Sequence, residues 1–217
     1  MKSFKTYLAV YPFLYKIVII IVMPLIVLKT GFSACLEAVL DTYIKMMAGG
    51  MIVMAAELYG EFYSMGAICT KKLPFGELLM SSPYAKEFVK RFAVADAVRK
   101  IVINTLIFTL PQVILMIMGE EYARPFLGLA IGVTVSFAVL FGTWFYRNTS
   151  SPLMFMVVLL ATAFVFAFLS AFTAVLYATF VKYIFFVISL GLMIMMVFVS
   201  IHSLVKSVEG DFYDIRH

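Results

Sequence analysis

Charged side chains make up only 13% of this 217-residue sequence, about half the share of an ordinary soluble domain. Hydrophobic residues reach 64%, and the mean hydropathy is +1.06. A soluble globule of this size would have too few polar residues to cover its surface, so the class is a polytopic membrane protein with one integral domain. The two cysteines, Cys35 and Cys69, fall near opposite membrane faces on the topology below, too far apart for a disulfide, and read as small apolar residues. Histidine is equally sparse: His202 has no second histidine within helical reach, so no metal site is expected. No GxxxxGK[ST] phosphate loop occurs, which excludes ATP hydrolysis by that route. Nor does a small-residue cleavage site follow the first apolar run, so no removed signal peptide is expected.

What remains is long apolar stretches. A span needs roughly 20 predominantly apolar residues, and the chain supplies six: 14–36, 43–69, 101–118, 126–146, 152–178 and 182–206. Pro24 and Lys29 interrupt the first, and the last two are so close around Val181-Lys182 that a re-entrant arrangement stays open. Six spans put both termini on one side. Thirteen Lys and Arg then fall on the N-terminal side and four (Lys29, Lys45, Arg124 and Lys182) on the other. The positive-inside rule makes the first side cytoplasmic. The net charge of +5 is thus explained by loops and does not point to nucleic acid. Residues 1–13 mix Lys with Tyr, Phe and Leu, as in a short helix lying in the membrane interface, and Pro12 bends the chain into the first span. The 22 Phe and 15 Met read as lipid-facing filler rather than a cofactor box.

Residues 71–100, "KKLPFGELLMSSPYAKEFVKRFAVADAVRK", hold seven of the seventeen basic residues between two apolar spans. Pro74 can open a short helix presenting Phe75, Leu78 and Leu79, with Met80 beside them. Ser82-Pro83 is a second start signal. From there Tyr84, Phe88, Val89, Phe92 and Ala95 recur at helical spacing, and Glu87–Arg91 and Asp96–Lys100 sit four apart. The segment reads as a short helix held off the membrane, then an amphipathic helix feeding the third span. A short cytoplasmic helix with an apolar face asks for a protein or headgroup partner.

"GELLMSSPYAKEFVKRF" resembles the loop between the second and third spans of ABC-2-type transporter permeases. Glu77, Leu78, Leu79, Ser82, Pro83, Glu87 and Lys90 occupy comparable places, although Leu78 follows Glu77 directly where one residue more commonly intervenes. "AELYGEFYSMGA" is similar to small permeases of Gram-positive peptide-export and immunity clusters. The resemblance implies an all-α membrane protein of six transmembrane helices, with an N-terminal interfacial helix and a cytoplasmic coupling helix. It implies no enzyme activity in this chain. ATP and magnesium would belong to a separate ATPase subunit docking on residues 71–82, with Lys86, Lys90 and Arg91 steering its acidic rim. A second permease subunit, identical or related, would complete the pathway in a bacterial plasma membrane, and the cargo would be hydrophobic or amphipathic, such as a peptide.

Four residues stand out as intramembrane charges: Lys29, Glu57, Glu61 and His202. Glu57 and Glu61 share one helical face, and an acid at that depth is either held by a neighbour or functional. Lys29 is the expected partner of Glu57, unless it snorkels outward. His202 is expected to be a hydrogen-bonded packing residue. A different class stays open as the alternative. "EEYAR" (Glu120, Glu121, Arg124) and "FVSIH" (Phe198 to His202) resemble the EExxxR and FxxxH motifs of intramembrane CAAX-type proteases, the first one residue short. A non-transporting immunity protein is the third reading.

Overall fold

The structure, a computed structural model, describes residues 17–22, 25, 29, 39–69, 84–121, 123–149, 154–175 and 180–214. Among them are a π-helical turn at Val18–Val22 and five α-helices, with no strand: α1 (Val39–Cys69), α2 (Ala85–Ile117), α3 (Pro125–Thr149), α4 (Phe155–Val175) and α5 (Val181–Asp214). Three of these are long and apolar enough to cross a membrane, over Glu87–Ile117, Pro125–Asn148 and Val181–Lys206, and Phe155–Ala171 is a shorter apolar helix. The expected first span falls outside the described residues apart from 17–22, 25 and 29, as does the expected interfacial helix at 1–13.

Sequence periodicity divides an amphipathic helix from the third span near residue 100, but α2 runs through without a break. No glycine or proline interrupts it before Pro111. Its length, about 50 Å at 1.5 Å per residue, exceeds the roughly 30 Å hydrocarbon core. The first turns carry the amphipathic pattern: Val89, Phe92 and Ala93 are buried, Phe88 and Ala95 half-buried, and Tyr84, Glu87, Lys90 and Arg91 exposed. At its other end α2 stops by a Schellman closure. The Gly119 N–H donates to the Met116 carbonyl and the Glu120 N–H to the Leu115 carbonyl, with Gly119 at φ 84°. Pro125 then opens α3, where a missing N–H costs nothing, and the Arg124 N–H donates to Gln112 Oε1 at 2.9 Å, tying turn to helix.

The core is organised around α3, which packs against each of the other four helices. Of its apolar window 78% is buried inside the bundle, against 39% for α2 and 22% for α5. Small residues allow the tightest seam. Gly128, Gly132 and Ser136 recur every fourth residue on the face of α3 that meets α2, a small-xxx-small pattern suited to close helix approach. A Cβ on Gly128 would lie 2.4 Å from the Phe108 carbonyl oxygen, and one on Gly132 would lie 2.8 Å from the Thr105 Cα. Elsewhere the ring of helices around α3 is looser. α4 and α5 meet only marginally, and the backbones of α1 and α2 do not pack closely along their described residues. Met46, Met47, Met51 and Met54 of α1 nevertheless share one apolar cluster with Ile103, Ile107 and Phe108 of α2 and with residues of α3 and α4.

Candidate functional site: a buried ring of alternating charge

At the end of the bundle where α1 finishes and α2 begins, six ionised side chains are drawn inside. Glu57 and Glu61 come from α1, Asp96, Arg99 and Lys100 from α2, and Arg147 from the last turn of α3, none more than 7% exposed. The helical period explains the local arrangement. Glu57 and Glu61 are one turn apart on α1, while Asp96 and Lys100 continue the inward face begun by Val89, Phe92 and Ala93.

Four of the six close a ring in which sign alternates. The Lys100 ammonium donates to Asp96 Oδ2 at 2.6 Å and to Glu61 Oε2 at 2.9 Å. Arg147 completes the circuit, with Nε donating to Glu61 Oε1 at 2.6 Å and Nη2 to Asp96 Oδ2 at 3.1 Å. Its Nη1 reaches Ser200 Oγ on α5 at 3.0 Å. Arg99 joins Glu57 to the ring: its Nη1 and Nη2 donate to Glu57 Oε1 and Oε2 at 2.7 and 2.5 Å, and Nη2 lies 3.5 Å from Asp96 Oδ1. Three carboxylates face three cations, so the set is neutral as a whole.

Neutrality and hydrogen bonding together make such a group tolerable away from water, since lone buried charges are costly. The attraction inside the set does not make it a large net stabiliser, because desolvation offsets most of the Coulomb gain. It is demanding instead: taking away one member strands another, at about 3–5 kcal/mol. Its effect is therefore to fix how α1, α2, α3 and α5 stand relative to one another. The long side chains also bridge the α1–α2 space that the two backbones leave open.

The geometry corrects several sequence expectations. Glu57 is paired with Arg99 and not with Lys29, which is exposed. The reason is reach: Arg99 sits across the bundle with a planar fork that matches a carboxylate bidentately. His202 is also exposed, on the outer face of α5, rather than a buried packing residue. Arg99, Lys100 and Arg147 are bundle residues and not loop charges, so the charge asymmetry falls from thirteen against four to ten against four. Glu61 is buried, with two cationic partners.

Of the expected docking residues, Phe75, Glu77, Leu78, Leu79, Met80, Ser82 and Pro83, and the side chain of Lys86, lie outside the described residues. Lys90 and Arg91 are exposed at the start of α2, where Arg91 pairs with Glu87 one turn away. The protease-like residues are not brought together. Glu120 and Glu121 are exposed in the α2–α3 turn. The Phe126 and Tyr183 rings, 5.2 Å apart, place the start of α5 at that same end. His202 lies nineteen residues further along α5, about 28 Å by helical rise.

No family model matches the chain, and no curated protein or solved structure matches it.

Proposed function

We propose that this chain is the membrane-embedded subunit of a bacterial ABC-type exporter, moving a hydrophobic or amphipathic cargo such as a peptide across the plasma membrane. A separate ATPase subunit would supply the energy and hold the ATP and magnesium. It would dock from the cytoplasm on residues 71–82, while a second permease subunit pairs with this one in the bilayer, both termini facing the cytoplasm.

The observation that carries this reading is the position of the charge ring. Glu61 is eight residues from the end of α1, and Asp96 eleven residues from the start of α2, about 12 and 16 Å along the helices. The segment that would receive the ATPase is therefore rooted in two helices tied to each other and to α3 just inside the membrane. A push on residues 71–83 would move α1 and α2 together against the central helix, as rigid-body switching requires. Without the ring, the open α1–α2 space would absorb the motion.

The test is a pair of variants in the native host. Leu78→Asp with Leu79→Asp should abolish co-purification of a nucleotide-hydrolysing subunit while the chain still inserts. Asp96→Asn should leave that subunit bound but uncouple it. Purification of the wild-type chain without any such subunit would favour the non-transporting immunity reading instead.

A further inference from the structure

The Asn104 side chain is 0% exposed, and neither its Nδ2 nor its Oδ1 has a hydrogen-bond partner. A buried amide with both ends unmet is rare, because nothing in a membrane interior replaces the lost water. It lies one helical turn beyond Lys100 on the same face of α2, about mid-length along that helix. Lys100, one turn before it, is bound to Asp96 and Glu61.

Ile103, Ile107 and Phe108, which flank Asn104 along α2, share an apolar cluster with Met46, Met47, Met51 and Met54 of α1, while the backbones of the two helices stay apart. Methionine is unbranched and repacks with little penalty, which is why it lines adaptable binding surfaces. A primary amide presents a donor and an acceptor side by side, the complement of the N–H and C=O of one residue in an extended backbone.

We propose that Asn104 is a ligand-binding residue that seats the N–H and C=O of one extended residue of an apolar peptide entering the α1–α2 seam. The inference deepens the transport reading, on which it rests for the class of cargo. The binding step needs no ATPase. Apolar side chains of the peptide would displace the methionine side chains, while the amide pair fixes its depth beside the charge ring.

Binding is measured on the purified full chain in nanodiscs with two probes: N-acetyl trileucine amide, and its ester analogue in which oxygen replaces the internal N–H groups. The wild type should bind the amide at least tenfold tighter than the ester. In Asn104→Val that preference should fall to within twofold, and the variant should melt no lower than the wild type, because an unmet amide has been removed. Met54→Trp, which fills the seam, should weaken both probes. An equal amide preference in the two proteins, or no amide binding by the wild type, would overturn the proposal even if an ATPase subunit co-purifies. A variant that melts well below the wild type, or fails to fold, would also overturn it by making Asn104 a structural residue. Amide-selective binding without an ATPase partner would leave the seat standing and remove the export reading.

Discussion

Neutralising Asp96 is the sharpest probe of the charge ring, because it is the one carboxylate that all three cations touch. Asp96→Asn keeps the shape of the side chain but removes one negative charge, leaving three cations against two carboxylates. Lys100, 1% exposed, and Arg147, 7% exposed, then share Glu61 alone, and neither reaches water. Stranding a buried charge costs about 3–5 kcal/mol, which would be a large part of the stability of a domain of this kind. A second substitution sets the sign. Lys100→Met removes a cation of similar length, so Asp96→Asn with Lys100→Met returns the set to two against two. Unfolding in mixed detergent micelles, followed by the fluorescence of Trp144, gives the four free energies of the cycle. The double variant should be more stable than the sum of the single effects predicts, by about 2 kcal/mol or more, beyond the ~0.5 kcal/mol scatter of independent sites. Additive losses would refute the ring as a coupled unit and leave only separate local contacts.

Other substitutions separate the remaining claims. Arg99→Ala should destabilise the protein by about 3 kcal/mol or more by stranding Glu57, whereas Lys29→Ala should change unfolding by less than about 0.5 kcal/mol, as an exposed surface site does. Glu87→Gln removes an ion pair whose members are both 58% exposed, so its cost should stay within the ~0.3–0.5 kcal/mol of exposed helix pairs and vanish at high salt. Gly128→Ala should lower the melting temperature, because the new methyl meets the Phe108 backbone, with about 1–3 kcal/mol expected from overpacking. Gly191→Ala on α5, where a Cβ would meet nothing within 4 Å, should be neutral or stabilising by up to about 1 kcal/mol.

Much of the helical layout is readable in the residues because membrane helices announce themselves by unbroken hydropathy: α3 and α4 begin and end within a few residues of the apolar runs, and α5 begins at one but continues eight residues past its end. The charge ring is only half legible. Glu57 and Glu61 are conspicuous because they interrupt an apolar helix. Arg99, Lys100 and Arg147 are not, since each falls at the edge of an apolar run, where hydropathy alone reads a boundary. A better signal lies in the period: Val89, Phe92, Ala93, Asp96, Lys100 and Asn104 trace one continuous face of α2, so the charges inherit the inward direction of the apolar residues before them. The spacing of Asp96 and Lys100 marks an ion pair correctly, yet carries no information about burial. Asn104 is quieter still, because nothing in a lone asparagine records whether its amide will find a partner.

The enclosure of α3 bears on how the chain is made. Its guanidinium, Arg147, is synthesised after Glu57, Glu61 and Asp96, and before Ser200 on α5. A nascent chain that has released α1 and α2 into the bilayer already holds two carboxylates able to receive that cation, so the most sheltered helix can leave the translocon without waiting for the two that follow.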